Sequence, residues 1–231
     1  MNTPAHSSNP SPVDVIRSRR AIRRFLPTPV SAATVRELLD LAARAPSGSN
    51  VQPWRVYALA GTEKETLSRI VTEKYLKSGI DAELEYYPKQ WIEPWLSRRR
   101  KVGADLYALL GIAKGDKQKM TEQWLRNYQF FDAPVGLIFT IDRAFGPGML
   151  LDYGMFMQNL MLAACAHGLD TCPQLAFAYF QDTLRQALAL PENEQVICGM
   201  ALGHADPEAP ENQLSTERAP AEAFTEFRGF V

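Results

Sequence analysis

Pro134-Val135-Gly136-Leu137-Ile138-Phe139-Thr140-Ile141 is a short, unbroken apolar run. Its length and its β-branched and aromatic content read as a central strand. Outward towards the C-terminus, residues 150–167 read as a helix apolar on nearly all sides, and therefore buried. Gly168 supplies its left-handed stop, and Gly168–Leu175 reads as a turn that presents backbone N–H groups. A shorter helix over 181–189 stops before Pro191, and Gln195–Gly203 (QVICGMALG) reads as a second buried strand. Outward towards the N-terminus, Trp54–Ala60 alternates as a strand, and Thr62-x-x-Glu65 has the form of a capping box for a helix over 63–77. Ser31 caps an earlier helix whose Val35, Leu38, Leu39 and Ala42 share one face. Ser11 caps the first helix, with Pro12 at its first helical position. Helices and strands are mixed without the regular alternation of a doubly wound sheet, so the expected class is α+β, one central sheet flanked by helices.

The chain has 231 residues, 46% of them hydrophobic and 22% charged, proportions that suit a packed domain. Residues 1–10 read as a disordered tail and 11–231 as a single domain. Residues 79–131 are a mostly helical excursion from the core, holding Tyr86, Tyr87, Trp91, Trp95 and Trp124 among many charges. Lys+Arg (25) and Asp+Glu (26) leave a net charge of -1, which argues against a nucleic-acid binder. Cys165, Cys172 and Cys198 are too few and too scattered for a disulfide framework or CxxC metal site, and read as reduced thiols in a cytoplasmic protein. His6, His167 and His204 form no zinc motif, so no metal is expected. No run approaches the about 18–20 apolar residues of a membrane span. No GxGxxG or GxxxxGK[ST] loop is present, so Rossmann and P-loop nucleotide sites are unsupported.

Four constellations are left to carry chemistry. Arg17, Arg19, Arg20, Arg23 and Arg24 crowd one short stretch. A solvated cationic face, a nucleic-acid or membrane patch and a phosphate clamp all fit such a run. The clamp is favoured by Ile22 and Phe25, which anchor the stretch to a core, and by the match of guanidinium groups to phosphate oxygens. The loop Pro46-Ser47-Gly48-Ser49-Asn50-Val51-Gln52-Pro53 offers backbone groups and two side-chain amides to a planar heterocycle, or is a plain surface loop. Gly168-Leu169-Asp170-Thr171-Cys172-Pro173-Gln174-Leu175 contains a thiol, but no placed His or Asp makes it a nucleophile. Arg218, in Thr216-Glu217-Arg218-Ala219-Pro220, matters only if it meets the N-terminal arginines.

In this order, Arg-Ser-Arg-Arg-x-Ile-Arg-Arg-Phe, Ala-Pro-Ser-Gly-Ser-Asn-x-Gln-Pro-Trp, Gly-Leu-x-Thr-Cys-Pro-Gln and Glu-Arg-x-Pro resemble the FMN-dependent nitroreductase family over about residues 13–231, above all its nitrobenzoate and dinitroaniline reductase branch. The resemblance implies a sandwich with a mostly antiparallel sheet, an intertwined homodimer and FMN at the subunit interface. It implies that Arg19, Ala21 and Arg23, with Arg20, meet the phosphate and ring edge, Ala21 only through its backbone because the family often has Ser there. It implies Arg218 as a C-terminal phosphate ligand, and Pro46, Ser47 and Gly48 along the isoalloxazine. Asn50 and Gln52 would reach the partner subunit's flavin, and Pro173, Gln174 and Leu175 would cover the ring. No side chain is expected to be catalytic, because the flavin carries the chemistry. The implied activity is NAD(P)H-dependent reduction of nitroaromatic compounds through nitroso to hydroxylamine by a ping-pong scheme. A quinone reductase of the same fold and a non-catalytic flavin-binding module are the alternatives. The aromatics of 79–131 would wall the acceptor site. Arg98, Arg99, Arg100 and Lys101 either attract an acidic acceptor or form a solvated helix face.

Overall fold

A computed structural model describes residues 11–82 and 87–230; the expected tail at 1–10 and Tyr86 lie outside them. The apolar run is strand β2 (Val135–Asp142), buried along nearly all its length because it has neighbours on both edges and layers on both faces. It pairs antiparallel with β1 (Arg55–Ala60) on one side and β4 (Glu194–Gly203) on the other. A fourth strand, β3 (Asp170–Gln174), lies antiparallel beside β4, giving the order β1-β2-β4-β3. The antiparallel sheet is as expected, but β3 replaces the expected turn. Gly168 reverses the chain at φ 70, sharply enough that the next residues fall against the free edge of β4. Pro173, which has no N–H to donate, is tolerated because β3 is the last strand in the order.

One face of the sheet packs on α2 (Ala32–Ala42) and α6 (Gly148–Ala166), with Leu38, Phe139, Phe156 and Leu160 at the centre. The other packs on α3 (Gly61–Ser78), a 3-10 turn at Arg126–Asp132, and Phe177 and Phe180. Gly136 and Gly199 let two stacked rings lie flat on the sheet: Phe130 and Phe177 have centroids 4.6 Å apart. A Cβ on Gly136 would come 2.6 Å from the Phe130 ring, and one on Gly199 would meet Phe177.

Two of the three expected caps form. Ser11 Oγ accepts from Asp14 N–H at 3.2 Å at the start of α1 (Pro12–Ser18), and Ser31 Oγ accepts from Thr34 N–H at 3.0 Å. Thr62 caps nothing, because β1 runs straight into α3 at Gly61 and Thr62 already lies in the first turn. Helix α6 is buried on one side only. Tyr153, Phe156, Leu160 and Ala164 face the sheet, whereas Leu150, Met155 and Leu151, the last 74% exposed, do not. A helix apolar around its circumference therefore leaves one face bare in the single chain.

The excursion contains α4 (Trp95–Leu109) and α5 (Lys117–Leu125), neither with a buried residue. Its last part is not an excursion: Tyr128, Phe130 and Phe131 return to the core. The short helix α7 (Gln181–Ala187) receives the excursion's root, Asp81, at its N-terminal end. No helix among the described residues is long and apolar enough to cross a membrane, and no metal-binding cluster occurs among them. The three cysteines are free and buried.

Candidate functional site

The arginine stretch begins where α1 ends. Ser18 Oγ lies 3.4 Å from Cys165 Sγ, which docks this end of α1 on the C-terminal part of α6. The chain then runs beside β3: Ala21 bridges Thr171, and Ile22 N–H donates to Thr171 O at 3.1 Å. Ile22 and Phe25 are buried, as expected of anchors. In the same stretch the half-buried Arg19, Arg20 and Arg23 form no ion pair among the described residues, whereas Arg24 is paired with Asp132 at 2.6 Å. Among the described residues, no carboxylate compensates these three guanidinium groups. Burial pushes the Cys172 thiol up to about 11, against the pull of Arg23 and Arg19. Both guanidinium groups therefore act on β3, and Cys172 is an inert thiol rather than a nucleophile.

Beside β3 opens a groove of about 890 Å³. Pro173 and Leu175 form one wall, Tyr153, Gly154 and Met157 of α6 another, and Val196 and Cys198 of β4 contribute the floor. Alternation along β3 sorts the expected ring-covering residues. Pro173 and Leu175 face the groove, while Gln174 is buried and its Nε2 donates to Asn127 O at 2.5 Å. Arg19, Ala21 and Arg23 are thus gathered at the start of β3, by the Ala21–Thr171 bridge and the pull of Arg19 and Arg23 on Cys172, whereas Pro173 and Leu175 line the groove further along, where the lining also holds Arg143. The α6 wall was missed by the sequence reading, although the helix's all-round apolar surface was its signal.

The loop 46–52 lies elsewhere in the chain. Gly48 N–H donates to Asp152 Oδ2 at 3.1 Å, Ser47 Oγ accepts from Gln52 N–H at 3.0 Å, and Ser47 O accepts from Asn50 N–H at 3.0 Å. Ser49, Asn50 and Gln52 hold φ values of 50, 57 and 54, a left-handed run costly for non-glycine residues. The loop is therefore a built, exposed shape. It touches α6 at Asp152, while α1 touches it at Cys165, and helical rise separates those points by about 20 Å. Pro46, Ser47, Gly48, Asn50 and Gln52 thus sit at the opposite end of α6 from the arginine turn.

Arg218 is engaged within its own segment. Its exposed guanidinium donates to Thr216 O, Thr216 Oγ1 and Glu217 O at 3.0, 2.7 and 2.9 Å. Glu217 lies 3.8 Å from Lys101, which ties this segment to α4. The cations of α4 are sorted as well. Arg99 stacks over Tyr87 and Trp91 at 5.6 and 5.0 Å, and Lys101 pairs with Asp105 at 2.7 Å. Arg98 and Arg100 form no ion pair among the described residues.

The guanidinium groups at the start of β3, without an ion pair among the described residues, fit an anionic group, and the apolar-walled groove further along the strand fits a flat apolar body. The fold defines the class. The chain superimposes on the FMN and NADPH-dependent nitroreductase NfnB of Sphigopyxis sp. strain HMH with a TM-score of 0.92 at 36% identity, covering 95% of this chain and all of that one. The FMN-dependent NfnB of Mycobacterium smegmatis, solved in complex with NADPH, gives 0.88 at 31% identity over 93% of this chain and 96% of that one. It is a nitroreductase-like α+β fold. Residues 16–204 match the Nitroreductase family, and the chain belongs to that family. It is 42% identical over 216 residues to the 4-nitrobenzoate reductase of Pseudomonas putida, covering 94% of this chain and 95% of that one. It is equally identical to the nitrobenzene nitroreductase of Ectopseudomonas oleovorans, over 93% and 95%.

Proposed function

We propose that the protein is an FMN-dependent oxidoreductase that uses NAD(P)H to reduce nitroaromatic compounds, working as one cytoplasmic domain over residues 11–231. The observation that carries this reading is that β3 joins two features: its start meets the turn that holds Arg19 and Arg23, which form no ion pair among the described residues, and Pro173 and Leu175 at its other end wall the groove. The guanidinium groups hold a phosphate dianion through charge-assisted, bidentate bonds, and the backbone N–H of Ala21 adds a donor without the hydroxyl a Ser would bring. Pro173 and Leu175 lie along the flat ring, with Gln174 fixing the strand between them. Arg23, towards the ring edge, supplies positive charge where electron density collects. Bound FMN would supply the redox chemistry, taking one hydride from NAD(P)H and passing two electrons to the acceptor in each cycle, so that nitro to nitroso, with loss of water, and nitroso to hydroxylamine would consume two NAD(P)H in two successive cycles.

The site is completed by a second copy. The exposed Leu150, Leu151 and Met155 give α6 a bare apolar face, which a two-fold antiparallel contact would cover. The same contact would bring the partner's 46–52 loop, held at Asp152 beside this bare face, to the groove wall at Tyr153 and Gly154. That supports Pro46, Ser47 and Gly48 along the ring, and Asn50 and Gln52 reaching the flavin of the other subunit. The tail's exposed Phe224, Phe227 and Phe230 also gain a surface on the other subunit, and Arg218 is carried with them towards the phosphate. The acceptor is an aromatic nitro compound whose carboxylate, where present, meets Arg98 or Arg100, since Arg99 and Lys101 are already engaged.

Initial rates measured while both NADPH and 4-nitrobenzoate are varied test the scheme. Parallel double-reciprocal lines are expected, because reductant and acceptor use one face in turn. Intersecting lines contradict the ping-pong order, and no oxidation of NADPH or NADH with any nitroaromatic or quinone contradicts the enzyme reading.

A further inference from the structure

Asn212 lies in the 3-10 turn Pro210–Gln213 and is 2% exposed. Its side-chain amide is wholly spent on main chain. Oδ1 accepts from Arg23 N–H at 2.8 Å, and Nδ2 donates to Arg24 O at 2.7 Å and to Asp206 O at 2.9 Å. Arg23 is a special point in its stretch. Ile22, Phe25 and Leu26 have their N–H groups taken by main-chain oxygens of Thr171, Phe131 and His204. The N–H and C=O of Arg23 are taken by side chains, Asn212 and, at 3.4 Å, Arg126. Arg126 is itself held by Glu211, the neighbour of Asn212, at 3.3 Å and by Asp132 at 3.0 Å. A buried amide from near the C-terminus thus sets the backbone direction from which one N-terminal guanidinium leaves.

We propose that Asn212 is a positioning residue of the phosphate clamp. It touches no ligand itself and acts by aiming Arg23, an inference that rests on the reading of Arg19 and Arg23 as phosphate ligands. A long side chain grips an anion only when its root is fixed, because binding geometry tolerates errors of only about 0.5 Å and 10–20°. Main-chain pairing fixes Ile22, Phe25 and Leu26, and the amide does the same at Arg23, whose side chain is spent on the ligand. An Ala at 212 leaves Arg23 N–H and Arg24 O with one partner fewer and frees that root to turn.

The test is a double-mutant cycle on FMN dissociation constants of the full chain, with Asn212→Ala, Arg23→Ala and their combination, each checked for native far-UV circular dichroism. Asn212→Ala is expected to weaken FMN binding about tenfold. In the Arg23→Ala background the same change is expected to cost no more than about twofold, since no aimed group remains. An unweakened Asn212→Ala, or an equal loss in both backgrounds, overturns the proposal and leaves Asn212 an ordinary structural residue. Unweakened binding in Arg23→Ala and in Arg19→Ala overturns the clamp itself, and so separates that failure from this one. If Asn212→Ala does not fold, Asn212→Asp, which keeps an acceptor for Arg23 N–H, goes through the same cycle. Failure of both to fold makes Asn212 a folding residue and overturns the proposal.

Discussion

Asp81 shows how much one side chain decides. Its carboxylate accepts from Thr183 N–H at 2.8 Å and Thr183 Oγ1 at 3.0 Å and lies 3.2 Å from Lys74, so it staples the root of the excursion to α7. Burial alone would raise its pKa, but the bonds from Thr183 and the charge of Lys74 outweigh it and hold the carboxyl below its ordinary value. The staple therefore contributes fully above about pH 4 and is lost as the pH falls through the depressed value. Urea midpoints measured against pH should show Asp81→Asn about 1–2 kcal/mol less stable at neutral pH, with the gap closing under acid. A gap independent of pH would mean that the carboxylate charge is not what holds the root. On the opposite side of the excursion, the sorting of the α4 cations makes a kinetic prediction. Arg98→Ala with Arg100→Ala should raise KM for 4-nitrobenzoate several-fold and leave KM for uncharged nitrobenzene alone; equal changes for both acceptors would remove α4 from carboxylate recognition. At this scale the anchoring of the arginine stretch was legible, because Ile22 and Phe25 are buried as their place among the charges implied. Asn212 was not, since its three partners lie far away in sequence.

The helices and strands show where periodicity suffices and where it fails. β2 and β4 were plain, because a strand buried on both faces must be apolar throughout. β3 was read as a turn: it is short, it holds a proline, and only the free edge of β4 makes it a strand. The Thr62 capping box failed because a sequence motif cannot show that the chain enters the helix two residues earlier. α6 was correctly apolar but wrongly assigned full burial, since hydropathy cannot say which molecule covers a face. Packing between elements makes a sharper prediction. Gly199→Ala puts a methyl group into the Phe177 ring, which is fully buried and stacked on Phe130, so neither ring can retreat. It should cost about 1–3 kcal/mol in thermal or urea unfolding. An unchanged midpoint would show that the paired rings are not close-packed on the sheet.

In the whole molecule, the two halves of the expected site lie at opposite ends of α6, about 20 Å apart by helical rise. Sequence order lists those halves, and the proposed dimer assigns them to different copies. Leu151→Glu, which places a charge on the bare face of α6, should shift the protein to monomers by size-exclusion chromatography and release FMN with them. A dimer that survives with full flavin would place the subunit contact elsewhere. Arg23→Ala and Gly48→Pro are each expected to lose activity. Mixed and refolded together, they should regain part of it, because each hybrid dimer has one site with neither defect; no recovery would mean that each site is built by one chain. The most direct measurement of the central claim is the absorbance of the purified protein under anaerobic conditions. We predict a yellow flavoprotein whose flavin band is bleached by NADPH or NADH and restored by 4-nitrobenzoate, whereas a colourless protein that takes up no FMN, or a yellow one that neither nucleotide bleaches, would contradict it.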